Sequence, residues 1–258
     1  MKKILLILVA YCCLYGCVES SDSGSQASGS GVGGSTARFV IQNNFLIVVE
    51  DSSIRSFNID DAMNPRLIDQ SYTTGPRLET VFPYSEDLVL IGTNQGAVIT
   101  RISSQGFIEG ISFASHFTSR DPVVAANDIM YVTIRPENGQ SRFVDASGVL
   151  LSDGSNRLIV YDITDLENPQ ELTQLGIENP TGLSLSGDRL YVCFEEGLRI
   201  YDVTEPSDPQ VVTDYADFPC NDVIAAGSDI IATGDAGIQL LENQQDVMSL
   251  LSSIQPGN

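Results

Sequence analysis

The chain has 258 residues, of which 42% are hydrophobic, and 34 acidic against 13 basic residues give a formal charge of −21. Such an acidic surface repels phosphate backbones and anionic lipid head groups, which argues against binding to nucleic acid and against direct adsorption to anionic membranes. It permits divalent cations or a basic partner, although an acidic surface most often serves solubility.

The first segment has the composition of an export signal. Lys2 and Lys3 precede an apolar run over Ile4–Leu14, which is too short to span a bilayer. A small residue then precedes Cys17, and this resembles the bacterial lipobox, in which the cysteine is lipidated and becomes the new N-terminus. We predict a lipoprotein signal peptide over residues 1–16 with lipid attached to Cys17. The alternative is ordinary cleavage that leaves a free thiol.

Residues 17–36 are predicted to form a lipid-anchored linker. From Glu19 to Thr36 the chain is rich in Ser and Gly and has almost no apolar side chains. Such a segment buries too little surface to offset its ordering entropy, so we expect a flexible spacer. Residues 37–258 remain for one folded domain, which is long enough to bury about 70% of its unfolded surface.

A strand-rich unit recurs about every forty residues, a period that is typical of propeller blades. Its clearest copies read NRLIVYDITDLENPQEL at 156–172 and EGLRIYDVTEPSDPQVV at 196–212. In each unit a polar turn precedes an apolar strand, and a third strand and a weaker fourth strand follow. Four strands in hairpin order form a blade, so the sequence predicts an all-β propeller of four-stranded antiparallel blades.

Five such units align on turns of Asn, Asp, Gly and Ser, which tolerate the positive φ of tight hairpins. The turns are Gln42–Asn44, Ser85–Asp87, Ala126–Asp128, Ser186–Asp188 and Gly227–Asp229. The predicted third strands are Ile54–Ile59, Ala97–Ile102, Leu158–Ile163, Leu198–Val203 and Ile238–Leu241. Five blades either close a small ring by packing of the blades or form an open array.

The segment from Leu198 to Val212 resembles the LVIVD repeat of bacterial exported propellers. Residues 159–170 match the repeat nearly as well, and residues 54–66 match it loosely. The resemblance implies a lipid-anchored propeller of the cell envelope, at the outer membrane or cell surface. It implies no reaction and no cofactor.

Asp162 and Asp202 recur at the end of the third strand, where a ring of metal ligands could form. The alternative is a carboxylate that accepts backbone N–H groups of the following turn. Arg101 occupies the same place in the second unit, which favours the structural role and predicts no metal site.

The segments that enter each innermost strand meet on one face of a propeller, where ligands usually bind. The candidate ligand-binding residues there are Arg77, Glu79, Arg120, Asp121, Asn221 and Asp222. The loops between second and third strands add a long insertion over Pro136–Asn156, which is either functional or a tolerated surface excursion. The one histidine, His116, is interpreted as a loop residue rather than a general base.

The sequence leaves three functions open. The preferred one is a non-enzymatic binding module for a protein partner or a surface glycan. The second is a glycoside hydrolase, for which Asp121, Asp222 and Glu79 are the available carboxylates. The third is a structural component of the envelope. Cys193 and Cys220 could pair as a disulfide in an oxidising compartment or remain two buried thiols.

Overall fold

The computed structural model describes residues 34–115, 122–135, 142–144, 150–153 and 156–255. Several residues singled out in the sequence lie outside these ranges: Cys17 with the predicted signal peptide, His116, Arg120 and Asp121. The described ranges contain strands and turns, and none of their segments is a helix long and apolar enough to cross a membrane.

Five four-stranded antiparallel sheets follow one another along the chain, which confirms the predicted five-bladed propeller. Blade 1 contains β1 Phe39–Gln42, β2 Phe45–Glu50, β3 Ser53–Asn58 and β4 Arg66–Tyr72. Blade 2 contains β5 Leu78–Pro83, β6 Leu88–Thr93, β7 Gly96–Ile102 and β8 Ile108–Ser115. Blade 3 contains β9 Val123–Ala126, β10 Ile129–Ile134, β13 Arg157–Asp162 and β14 Gln170–Gly176.

Blade 4 contains β15 Leu183–Ser186, β16 Arg189–Phe194, β17 Gly197–Asp202 and β18 Gln210–Tyr215. Blade 5 contains β19 Asp222–Ala226, β20 Asp229–Gly234, β21 Gly237–Gln244 and β22 Val247–Ile254. The insertion predicted in the third unit carries a hairpin of its own between β10 and β13, formed by β11 Arg142–Val144 and β12 Leu150–Asp153.

Tight turns set the register of the first hairpin in most blades. In blade 1 Gln42 pairs with Phe45, so Asn43 and Asn44 form a two-residue loop. In blade 3 Asn127 and Asp128 both have positive φ, at 52° and 62°, as a type I′ turn requires. The polar turns predicted from the sequence therefore have the local conformation for which their residue types are suited.

The repeated aspartates close the turn after the third strand of the blade. Asp162 Oδ1 accepts the backbone N–H of Thr164 at 2.8 Å, and Asp202 Oδ1 accepts that of Thr204 at 2.9 Å. These hydrogen bonds to Thr164 and Thr204 lower the pKa of both carboxyls. Among the described residues no three His, Cys, Asp or Glu side chains are grouped as a metal site.

The core lies between blades rather than inside one. Within the described ranges four apolar clusters separate blades 1 and 2, 2 and 3, 3 and 4, and 4 and 5. Successive residues of a strand point to opposite faces, so one strand serves two clusters. On β16, for example, Leu190 packs between blades 3 and 4, and Tyr191 packs between blades 4 and 5.

The faces of blades 5 and 1 that would complete the ring carry no such cluster among the described residues. Ile238 of β21 occupies the place that Leu198 has in blade 4, but it is 45% exposed where Leu198 is 0% exposed. On blade 1, Phe39 is 63% exposed, whereas its counterpart in blade 5, Val223, is 0% exposed. In the part of the chain that the structure describes, packing of blade against blade therefore does not close the array.

Replacement of Leu190 by Ala should lower the free energy of unfolding by about 2–5 kcal/mol, because it leaves a cavity between two blades. Chemical denaturation would measure the change. Val211→Ala on the exposed outer strand β18 is the control and should change stability by about 0.5 kcal/mol or less. Equal effects of the two substitutions would contradict the packing described above.

Candidate functional site

A central cavity of about 660 Å³ opens where the chain enters the innermost strands, and all five blades contribute to its walls. Its lining is polar and of mixed charge. The residues are Thr36, Arg38, Asp51, Arg77, Leu78, Glu79, Thr80, Pro122, Arg135, Pro180, Thr181, Asn221, Asp222 and Thr233. The chain enters the innermost strand of every blade at a similar distance from the centre of the array. Residues far apart in sequence therefore meet around one opening.

Four of the six predicted ligand-binding residues line this cavity. They are Arg77, Glu79, Asn221 and Asp222. Arg120 and Asp121 lie outside the described residues. In contrast, Glu196, which belongs to a loop predicted for the same face, lines a separate depression beside Arg199.

The segment before blade 1 is bound across the cavity and not free. Ser35 is 1% exposed, and its hydroxyl oxygen accepts the backbone N–H of Leu183 in blade 4 at 2.7 Å. Thr36 Oγ1 donates to Asp222 Oδ2 in blade 5 at 2.6 Å. One residue later, Ala37 accepts the N–H of Val81 in blade 2 at 2.7 Å. We call residues 34–37 the clasp.

The clasp overlaps the end of the predicted linker. The composition of residues 17–36 predicts a spacer up to Thr36, and within it Ser35 and Thr36 contact blades 4 and 5. The small side chains that indicated flexibility are the ones that fit here. A Cβ added to Gly34 would lie 2.0 Å from an oxygen of Asp222, so a larger residue would displace the carboxylate.

Asp222 is the half-buried acid at the centre of this arrangement. Its carboxylate accepts hydrogen bonds from Ser35, from Thr36 and from the backbone N–H of Val223. Desolvation nevertheless raises the pKa of Asp222 above its ordinary value of 3.8, because these hydrogen bonds only partly offset the burial of the charge. Its hydrogen bonds assign Asp222 a role in holding the clasp.

Two ion pairs occupy the wall formed by blades 1 and 2. Arg38 Nη2 lies 2.8 Å from Asp51 Oδ1, and Arg77 Nη2 lies 2.5 Å from Glu79 Oε1. The pair with Arg38 lowers the pKa of Asp51. Both pairs are partly exposed, so they contribute little to stability and leave charged groups at the rim of the cavity.

Sequence reasoning missed Arg38, Asp51 and Arg135, which also line the cavity. Arg38 immediately precedes the innermost strand of blade 1, so the rule that identified Arg77 also applies to it. Asp51 and Arg135 follow second strands, at the loops that reach the same face. The signal is therefore present in the aligned units, in the residue before the first strand and in the loop after the second strand.

A disulfide joins Cys193 of β16 to Cys220, with the two Cα atoms 5.4 Å apart. Cys193 lies in blade 4, and Cys220 lies in the segment that enters blade 5. Both are buried in the apolar cluster between these blades. The bond therefore holds blade 5 to blade 4 next to the central cavity.

Comparison with known proteins supports the architecture. Residues 180–217 match the LVIVD repeat family. A solved protein from Lactobacillus plantarum has a TM-score of 0.61 and 15% identity, over 82% of this chain and 68% of that one. BamB from Moraxella catarrhalis has a TM-score of 0.55 and 10% identity, over 84% of this chain and 62% of that one.

The periplasmic gluconolactonase PpgL of Pseudomonas aeruginosa has a TM-score of 0.50 and 12% identity, and the match covers 83% of either chain. In contrast, the match to BamB covers less than two thirds of the length of that protein. Identities this low establish a shared fold and no shared activity. No curated protein matches the sequence.

Loss of the disulfide should destabilise the domain by about 2–4 kcal/mol, because the bond closes a loop across two blades. Replacement of Cys193 and Cys220 together by Ser, followed by chemical denaturation, would measure the loss. The reductant-treated wild type should fall to a similar stability, and the double variant should not respond to reductant. An unchanged unfolding curve after reduction would contradict a structural role for the bond.

The stability of the wild type relative to Asp222→Asn should depend on pH. Because the folded state raises the pKa of Asp222, the native protein binds this proton more tightly than the unfolded chain. Wild type should therefore gain stability relative to the variant as pH falls through the raised pKa toward 3.8, by at most about 1.4 kcal/mol per pH unit. Denaturation curves between pH 7 and pH 4 would measure the difference.

Asp217→Asn is the matched control, since Asp217 is an exposed acid just before the same strand. If the difference in the free energy of unfolding between wild type and Asp222→Asn does not change with pH over this range, Asp222 does not have the partly buried environment described here.

Proposed function

Because the chain is a β-propeller that carries an LVIVD repeat, we propose that it is a lipid-anchored envelope protein whose propeller binds a partner without catalysis. The proposal joins the lipobox at Cys17, the predicted linker and the rigid array of blades. In this arrangement the lipid and the linker set the reach of the domain. The outer membrane or the cell surface is the proposed location, and a protein or a surface glycan is the proposed partner.

The observation that carries the proposal is the contribution of every blade to one polar opening. Such an opening presents charged and hydrogen-bonding groups on a rigid frame, which lowers the entropic cost of recognition. Arg77 and Glu79 lie at its wall, and Arg77 is 43% exposed in its side chain. Arg77 is therefore accessible to a partner that approaches this face, whereas the side chain of Glu79 is only 13% exposed.

A glycoside hydrolase is the second candidate, because Glu79 and Asp222 line the same cavity and burial raises the pKa of Asp222. The hydrogen bonds weigh against this candidate. The carboxylate of Asp222 is already bound by the clasp, and Glu79 is bound to Arg77. A general acid would need to release such partners to meet a substrate. A structural envelope component remains the third candidate.

Crosslinking in intact cells, with mass spectrometry of the captured material, tests the binding function. Arg77→Glu should abolish capture of a partner that contacts the central face, while the domain remains folded. Arg101→Glu is the matched control, because Arg101 is 41% exposed and also paired with acids, but it lies at the opposite end of blade 2. Equal capture by both variants would argue against recognition by this face.

The same preparations separate the hydrolase from the binding module. A hydrolase would turn over glycosides and lose this activity in Glu79→Gln. Turnover by wild type that disappears in this variant would replace the binding proposal with the enzyme. Absence of both capture and turnover would leave the structural role.

A further inference from the structure

The basic residues of the folded domain share one side-chain type, and three of them lie around the central cavity. Every basic residue after residue 16 is an arginine. Several of those described are held in ion pairs at the edges of blades: Arg55 with Glu50, Arg101 with Asp87, Arg189 with Asp202 and Asp246, and Arg199 with Asp214. Arg38, Arg77 and Arg135 instead converge on the central cavity from blades 1, 2 and 3.

Arg135 differs from the other two arginines of the cavity. It follows β10 directly and is half-buried, and within the described ranges it has neither a hydrogen bond nor an ion pair. A guanidinium carries five donors in a planar fork, and those of Arg135 have no acceptor among the described residues. They are therefore available to an acceptor supplied from outside the described chain.

The acids nearby are engaged elsewhere. Asp51 is bound to Arg38, Glu79 to Arg77, and Asp222 to the hydroxyls of the clasp. The carboxylates of the cavity therefore have partners of their own.

A second unpaired group lies in the same cavity. Thr80 of β5 is 6% exposed, and its buried hydroxyl has no hydrogen-bond partner among the described residues. A hydroxyl can donate to an anion or accept from a ligand hydroxyl. Arg135 and Thr80 thus place a cationic and a neutral donor around one space, and buried polar groups normally have partners.

The shape and lining of the cavity restrict the ligand. A volume of about 660 Å³ suits a small molecule or the end of a larger one. No aromatic side chain is among the described residues that line it, so a stacking platform for a neutral sugar is missing there. A planar carboxylate matches the guanidinium fork through two parallel hydrogen bonds.

We infer that the central cavity is a carboxylate-binding site in which Arg135 forms the ion pair and Thr80 adds a hydrogen bond. The inference deepens the proposed function, because it names the chemistry that the central face recognises. The carboxylate belongs either to a free small acid or to the captured partner itself. In a chain of formal charge −21, such a site depends on local arginine contacts, since the overall field repels anions.

Titration calorimetry of the full-length chain carrying Cys17→Ser, which keeps the protein out of membranes, tests the free-acid source. The probes are succinate and D-galacturonate, with D-galactose as the neutral match. A free acid as the natural ligand predicts saturable binding of a carboxylate probe and none of galactose. Arg135→Gln should weaken that binding about tenfold to a hundredfold, the effect of one charged hydrogen-bonded pair.

Arg66→Gln is the matched control, because Arg66 also lacks a partner among the described residues but lies exposed on the outer strand of blade 1. Neither substitution removes a described contact, so both variants should unfold at the wild-type denaturant concentration. Equal weakening by the two substitutions, or equal binding of galactose and galacturonate, would overturn the inference for a free acid.

The crosslinking assay tests the other source. A carboxylate on the partner predicts that Arg135→Gln loses capture while Arg66→Gln retains it. If neither the probes nor the capture depends on Arg135, the carboxylate site is refuted. If the proposed binding function is wrong, no form of the protein captures a partner. The calorimetric result for the free acids does not depend on that outcome, so the two failures are distinguishable.

Discussion

Each inner blade of this protein, blades 2 to 4, is apolar on both faces and packs against a neighbour on each side. Leu190 and Tyr191 are adjacent on β16, yet one is buried against blade 3 and the other against blade 5. A blade alone would leave both in water, at a cost of about 1.5–3 kcal/mol for each large side chain. Stability therefore arises between repeats, as in other quasi-one-dimensional arrays.

The two ends of the array meet through polar groups where apolar packing is missing. The clasp gives Asp222 two hydroxyl donors and gives the N–H of Leu183 an acceptor, so blades 4 and 5 share one small network with the segment before blade 1. Hydrogen bonds of this kind are directional, so they fix the positions of the groups around the cavity. Their net contribution to stability is small. The central site consequently depends on a segment that precedes the first blade.

The repeat pattern predicted most of the fold because each turn and strand signal is local. Asn43, Asn127 and Asp128 require nothing distant to favour a tight hairpin. The entering segments likewise located Arg77 and Asp222 by alignment of repeats alone. The clasp could not be predicted in this way, because the Ser and Gly residues around Ser35 are ordered only by blades far along the chain. The exposure of Phe39 on blade 1 and Ile238 on blade 5 could not be predicted either, because it depends on how the two ends of the array lie relative to each other.

The clasp also determines how a mechanical load would pass through the domain. A pull on the chain ahead of residue 34 would act at the middle of the disc, because Ser35 and Thr36 are bonded to blades 4 and 5. The load would be shared between these two neighbouring blades, with the hydrogen bonds sheared together. A chain that entered at an outer strand would instead be peeled away one bond at a time.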